Sequence, residues 1–414
     1  MANTLVTSTI VLKEVARKFV NDLKFLANVN RSYDPRFKGS ATGGKPGDTV
    51  SVRLPQLFTA TDGDAFQPQA LYDQTVPITL TNKKGVHFGY SSTEATLQLE
   101  DITRRYIDPA ATTLANAAEV LSFNQVYPDI YSVVGTPGTT PSATVTYLQA
   151  GTKITDLAGP LDGRIAMLDP LAMQTIANTS STLFNPSAAI ANNWRSGMFG
   201  ANQLGIAEWY QDVNRPVHTT GTYTSCSPTV NGANQTGSTL NTQAWASGAT
   251  TLNRGDIFTV AGVFTVNPVS KQSTGRLQQF VVTATTSDSS GNMTALPISP
   301  SIITSGQLQT VSGSPASGAV ITVLGATSPT SGTLATTTSP QSFIYHPDAF
   351  AFAMADLATP NGGAKATFVQ DDSLGISIRM AEQWNISNDQ NGTRLDILIG
   401  AATLQARLAC RVMG

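Results

Sequence analysis

Asp108-Pro-Ala-Ala-Thr-Thr-Leu-Ala-Asn-Ala-Ala-Glu-Val-Leu121 is the stretch on which the reading of the whole chain turns. Asp is a good N-cap, and proline at the first helical position is tolerated because its missing N–H would be unpaired there anyway. Ile107, Leu114, Ala118 and Leu121 share one face, and the many alanines allow close packing. The spacing predicts one long helix running to about Tyr127-Pro128.

Three stretches upstream alternate with period two and read as strands: Val50, Val52, Leu54; Val76, Ile78, Leu80; and Val86, Phe88, Tyr90. Between the first two lies Phe58 to Gln74, rich in turn residues (Asp62-Gly63, Pro68) yet carrying Phe58, Phe66, Leu71 and Tyr72. A long hairpin has little core of its own, so aromatics near its tip are expected to be buried by another molecule. Further upstream, Leu12, Val15, Phe19, Leu23 and Leu26 are spaced three and four apart and predict an amphipathic helix over the first ~30 residues. Lys13, Arg17, Lys24 and Arg31 form a basic stripe on another face, either an ordinary solvated surface or one turned toward nucleic acid or an acidic neighbour. Asp34-Pro35 ends that helix.

Downstream, a helix is expected over Tyr147–Ala158, a strand at Arg164–Leu168 and a helix opened by Asp169-Pro170. Another segment runs from Asn185-Pro186 to Trp194, and a further strand covers Gly205–Val213. Composition then shifts. From Tyr223 to Ser342 the formal charges are Arg254, Asp256, Lys271, Arg276 and Asp288, and strand candidates (Ile257–Val266, Leu277–Thr286, Ala319–Leu324) alternate with Ser/Thr/Gly/Pro clusters. That pattern indicates a small all-β barrel or sandwich inserted into a host domain. Asp348–Leu357 reads as helical, and Ile376–Trp384, Arg394–Ile399 and Arg407–Val412 read as closing strands.

The 414 residues are 41% hydrophobic, enough for two or three cores, but only 13% charged, against roughly a quarter in an average soluble domain. Such a chain suits strands, turns and protein–protein contacts. A net charge of −2 argues against a dedicated nucleic-acid binder. Cys226 and Cys410 lie too far apart for a disulfide framework or zinc spacing, as expected in a reducing cytoplasm. The N-terminus has no signal-peptide layout and no apolar run reaches ~18 residues, so no membrane partner is expected.

The search for chemistry finds little. Gly39-Ser-Ala-Thr-Gly-Gly44-Lys45-Pro46 begins like a phosphate-binding loop, but Pro46 stands where a magnesium-holding hydroxyl belongs, and a strand follows instead of a helix. His87, His218 and His346 have no metal-like spacing, and the pairs Glu100-Asp101 and Asp371-Asp372 read as solvent-facing. No catalytic, cofactor-binding or metal-binding residue is assigned, and no enzyme activity or cofactor is expected.

Four stretches carry a family resemblance: Ala110 to Leu121; Ser342-Phe-Ile-Tyr-His-Pro-Asp-Ala-Phe-Ala-Phe352; Ile376-Ser-Ile-Arg379 with Asp389 to Gly400; and Leu252 to Val263. In this order the elements resemble the tailed-phage capsid fold, called the Hong Kong 97 fold, and are most similar to podovirus coat proteins of the Salmonella phage type. The resemblance implies an α+β fold: an N-terminal arm (1–34), an extended hairpin or E-loop (35–92) and a peripheral domain with spine helix (93–135 and 371–414). An axial domain (136–222 and 343–370) and an inserted β-domain (223–342) complete it. In that family a charged loop early in the inserted domain can bridge capsomers. Its counterpart here, Asn231–Thr250, has no ionisable side chain, which leaves Trp245 as the contact candidate.

The function implied is a major capsid protein that self-assembles into an icosahedral shell of hexamers and pentamers around a double-stranded DNA genome. Assembly would take place in the host bacterial cytoplasm, with the virion as final location. Expected partners are a separate scaffolding protein, a portal protein, packaged DNA held by weak non-specific contacts, and a decoration protein on the outside. Phe58, Phe66, Leu71, Tyr72 and Trp245 are the interface candidates. The alternatives are a secreted β-rich adhesin or surface-layer protein, a hydrolase carrying a β-domain, and an encapsulin-like cellular shell.

Overall fold

A computed structural model describes residues 23–32, 49–61, 63, 66, 68–91, 106, 108–180, 203–358, 365–370 and 377–414. The readings at Lys13, Arg17, Asp34-Pro35, 39–46, Glu100-Asp101, Ile107, 185–194 and Asp371-Asp372 lie outside these residues. The chain divides into two compact units: 1–52, 75–125 and 350–402 in the first, and 53–74, 126–349 and 403–414 in the second.

In the first unit the expected long helix, α1, spans Asp108–Val126. Its buried face carries Ala110, Ala111, Leu114, Ala115, Ala118, Phe123 and Val126. The alanines let the backbone approach its neighbours, and Phe123 rather than Leu121 fills the core. Beside it lies an antiparallel sheet built on the long strand Gln390–Thr403. That strand pairs with Asn82–Ser91, from Gln390 opposite Ser91 to Ile399 opposite Asn82, and on its other edge with Ser377–Asn385. Lys365–Gln370, not anticipated, adds a further strand. Thr49–Arg53 and Thr75–Thr79 form the two-stranded base of the hairpin, as the alternation predicted.

Two expectations fail in this unit. Asp348–Leu357 is not a helix: a 3-10 turn at Pro347–Ala349, in the second unit, leads into the strand Phe350–Met354, all five residues of which are buried. A strand covered on both faces loses the apolar–polar alternation that would mark it in sequence. The N-terminal helix likewise does not extend to residue 30. Residues 23–32 contain only a 3-10 turn at Leu26–Asn28 and a parallel bridge from Asn30 to Ala351. Tertiary hydrogen bonds hold this backbone, and they outweigh helical spacing.

The second unit contains helices α2 (Thr144–Asp156) and α3 (Pro170–Ser180) and a mixed sheet. Its strand order is Val133–Gly135, Ala409–Met413, Thr338–Tyr345, Ile165–Leu168, Glu208–Gln211. Tyr147, Ala150 and Ile154 of α2 pack with Ala166, Leu168, Ile344, Cys410 and Val412 in one core. The expected ranges grouped 343–370 together and 371–414 together. The pairings run otherwise: Phe350–Met354 lies in the sheet of Gln390–Thr403, while Ala409–Met413 pairs with Thr338–Tyr345. Cys410 and Val412 complete the core around α2, which is why the chain end belongs there.

The β-rich segment 223–342 forms a six-stranded sheet, ordered Ile321–Val323, Ile257–Val266, Ser273–Val282, Met293–Ile302, Gly237–Gln243, Thr229–Val230, with smaller strand pairs beside it. Its core is one apolar cluster that includes Phe258, Phe280, Leu240, Leu296, Ile298 and Trp245. Met293–Ile302 was missed because Pro297 and Pro300 interrupt it, and proline demotes a strand reading. The segment read as the loop Asn231–Thr250 contributes the strand Gly237–Gln243, hydrogen-bonded on both edges.

Candidate assembly surfaces

The hairpin tip is held by polar groups and displays apolar ones. Leu54 N–H donates to the Gln74 carbonyl (2.9 Å), and Gln56 Nε2 donates to the Tyr72 carbonyl (2.6 Å) while its Oε1 accepts from Tyr72 N–H (3.1 Å). Gln69 Oε1 accepts from Thr59 N–H (3.0 Å) and its Nε2 returns a bond to the Thr59 carbonyl. Around this ladder Phe58 is 56% exposed, Phe66 91%, Leu71 71% and Tyr72 53%. Burying such side chains is worth ~1.5–3 kcal/mol each, and among the described residues these four stand more than half exposed.

Trp245 does not join them. It is only 5% exposed, inside the β-rich core, with its ring edge-on to Tyr223 (centroids 5.6 Å apart) and its Nε1–H donating to Thr242 Oγ1 (2.8 Å). An indole beside a buried hydroxyl satisfies both its apolar body and its one donor, which corrects the interface reading. The missed counterpart is a second tip: Trp384 (48% exposed) and Ile386 (88%), at the turn between Ser377–Asn385 and Gln390–Thr403. The available signal was the Asn/Asp-rich run Asn385 to Asp389 between two strands.

The arm is anchored through a residue sequence reasoning passed over. Glu119, buried on α1, accepts the backbone N–H groups of Lys24 and Phe25 on the same oxygen, the latter at 2.8 Å. Phe25 stacks on Phe123 (4.1 Å, 24°), and Asn30 exchanges backbone bonds with Phe350 and Phe352. Of the basic stripe, Lys24 is exposed, but the Arg31 guanidinium lies over the Phe352 ring at 5.2 Å, a cation–π contact rather than an outward charge.

Three of the five charges of the β-rich segment, Arg254, Asp256 and Arg276, lie where it meets the rest of its unit. Asp256, buried, accepts from His218 Nε2 (2.9 Å), Gly221 N–H (2.9 Å) and Asn253 N–H (2.7 Å). Arg411, fully buried, donates to the Gly255 carbonyl (2.7 Å); desolvation pulls its pKa down to about 10, against the pull of Tyr127 and Asp256. Arg254 pairs with Asp129 (2.9 Å) and Arg276 with Asp156 (2.6 Å). Lys153 of α2, its pKa lowered by burial, bridges the Val133 carbonyl and Gln279 Oε1, both at 2.6 Å. His218 is therefore half of a buried structural pair. His346 contacts Asp348 at the expected corner, and His87 is an exposed strand residue.

In the first unit, Asp396 is fully buried between Arg379 and Arg394 (both 2.5 Å) and Lys83 (3.7 Å). Burial alone would raise its carboxyl pKa, but the two arginine bonds and the lysine charge together hold it below the usual carboxylate range. Among the described residues no three His, Cys, Asp or Glu side chains gather as metal ligands, and no helix is long and apolar enough to cross a membrane.

The comparisons with known proteins bear on what such surfaces are for. A family model described as "P22 coat protein - gene protein 5" matches residues 1–413. No curated protein matches. Among solved structures, one from Mycobacterium phage Che8 is 12% identical with a TM-score of 0.43, covering 95% of this chain and 90% of that one. The capsid of the cyanophage P-SCSP1u gives 10% and 0.42, covering 93% and 86%, and a virus-like particle from Pyrococcus furiosus gives 8% and 0.43, covering 98% and 100%. These likenesses are distant, and the assignment rests on the family match. Because that match runs from the first residue to the last but one, the chain belongs to the P22 coat protein family and is a tailed-bacteriophage major capsid protein, a structural subunit that forms the shell of the virion.

Proposed function

We propose that this capsid protein builds an icosahedral shell of hexamers and pentamers around double-stranded DNA, using a Hong Kong 97-type fold with a β-domain inserted at 223–342. In this reading α1 is the spine helix of a peripheral domain, the hairpin around Phe66 is the extended loop, and the mixed sheet around Thr338–Tyr345 belongs to the axial domain. The order of elements along the chain supports it, as does the six-stranded sheet closed around its own core at 223–342.

One observation carries the assembly mechanism: four large apolar side chains, Phe58, Phe66, Leu71 and Tyr72, stand exposed on a tip whose backbone is fixed by its own glutamines. The tip lies across an adjacent subunit, where those side chains are covered. Each contact is modest, and closure of the shell multiplies it. Lys13, Arg17 and Lys24 face packaged DNA through weak, salt-sensitive contacts; Arg31, stacked on Phe352, takes no part. A separate scaffolding protein directs closure in the host cytoplasm, a portal protein occupies one vertex, and a decoration protein binds outside.

Electron microscopy of the Phe66→Ser/Tyr72→Ser variant, expressed with its scaffolding protein, tests the interface. The expected result is a soluble, folded monomer, its unfolding free energy within ~0.5 kcal/mol of the parent, that yields few shells. Normal shells at parental yield would overturn the reading.

A further inference from the structure

We infer that the β-rich segment braces the assembly hairpin of its own subunit, with Gln307 as the positioning residue. The inference rests on the reading of the tip as a subunit interface. Gln307 Nε2 donates to Gln69 Oε1 at 2.8 Å, across 238 residues of sequence. Gln69 is the same side chain that ties the two arms of the tip together through Thr59. One glutamine therefore closes the hairpin and fastens it to the β-rich segment.

The platform that presents Gln307 is itself fixed. Lys271, one of the five charges in the segment, donates from Nζ to the Gln307 carbonyl. The turn closes by a bond from Gln309 N–H to the Gly306 carbonyl, with Gly306 at φ +85°, where only glycine is unstrained. Thr310 then locks the turn to the strand before it, donating from N–H to Ile303 and from Oγ1 to Ser301 (2.6 Å). A second line of contact follows the hairpin base: Leu57 and Gln74 form one wall of an open cleft of about 250 Å³ whose other walls include Ile303, Leu308 and Arg407.

What the brace leaves untouched decides its role. A contact that stored the hairpin in an inactive position would cover the apolar side chains needed for assembly. Here the link is polar, and Phe66, Leu71 and Tyr72 stay more than half exposed. The brace is therefore compatible with binding a neighbour. It restricts the tip to one orientation before the neighbour arrives, so less conformational freedom is lost on assembly. A single side-chain hydrogen bond shifts such an equilibrium by roughly fivefold.

The test uses the full-length chain with its scaffolding protein. In Gln307→Ala, amide exchange of residues 56–74 in the monomer should speed up by roughly fivefold, and light scattering should show assembly slowed by a similar factor, with normal final shells. A Gln69→Cys/Gln307→Cys variant joined by a short bismaleimide should assemble faster than the same variant left unjoined, a comparison in which the lost Gln69–Thr59 bonds are common to both; Cys226 and Cys410 are buried. Crosslinked protein that stays monomeric would overturn the inference, because the contact would then have to open. Unchanged exchange and assembly rates in Gln307→Ala would overturn it too. The Phe66→Ser/Tyr72→Ser variant separates the two readings: if it assembles normally the interface itself has failed, and if it is blocked while Gln307→Ala behaves as the parent, only the brace has.

Discussion

The hairpin tip and the β-rich segment are both rich in turn residues, yet they treat large apolar side chains in opposite ways. In the segment, period-two strands aim Phe258, Phe280, Leu296 and Ile298 at one another, and the cluster is closed. At the tip, no sheet among the described residues faces these side chains, and Phe66 is left 91% exposed. The difference is one of partner: the segment supplies its own second layer, whereas the tip, in the function proposed above, takes one from a neighbouring subunit. Stability and assembly should therefore be separable, with core residues of the segment moving the first and tip residues the second.

The largest expected effect tests the closed side. Phe280 is buried and stacked on Phe258 at 5.7 Å, so Phe280→Ala removes a ring and leaves a cavity, destabilising by ~3–5 kcal/mol. Urea unfolding should show a large fall in midpoint, and shell yield should fall with the folded fraction. A loss below ~1 kcal/mol would mean that the segment is not closed and that the comparison fails.

Much of this contrast was legible in the sequence. Asp108-Pro109 with its alanines announced α1, alternation announced the hairpin arms, and the five charges between 223 and 342 marked the β-rich segment. What pattern could not show was where those charges go. Arg254, Asp256 and Arg276 face the rest of the unit, Lys271 holds the Gln307 turn, and Asp288 is wrapped by the N–H groups of Gly248, Thr250 and Gly291. Two of these pairings, Arg254 with Asp129 and Arg276 with Asp156, join residues more than a hundred positions apart, while Asp256–His218 and Lys271–Gln307 span 38 and 36; local periodicity carries no trace of them. Phe350–Met354 was misread for a different reason: a fully buried strand has no polar face to reveal its period. Trp245 was misread because a lone indole looks the same in sequence whether its surroundings are a core or a neighbour.

An intermediate effect is expected at Asp396, the buried carboxylate of the first unit. Replacing it with Asn leaves Arg379, Arg394 and Lys83 around a neutral amide. Two of those three cations reach solvent, so the loss is ~2–3 kcal/mol at neutral pH. Its native pKa is depressed, so its contribution is fully present above the unfolded carboxylate value of about 3.9 and is lost as pH falls through the lower native value. Unfolding curves from pH 7 to pH 3 should show Asp396→Asn with a shallower acid decline than the parent; parallel declines would remove Asp396 from the account.

The smallest effect sharpens the comparison most, because it falls on the residue that could have belonged to either side. Trp245→Phe keeps an aromatic ring against Tyr223 but deletes the Nε1–H bond to Thr242 and some volume, which should cost ~1–2 kcal/mol. If Trp245 is core, the denaturation midpoint falls by that amount while assembly kinetics at low temperature, where the variant is fully folded, match the parent. An interface residue would show the reverse: an unchanged midpoint and slower assembly. The two signatures cannot be exchanged for one another. A solvent-facing ring leaves unfolding within ~0.5 kcal/mol when changed, and a ring sealed inside one subunit has no surface left to offer the next.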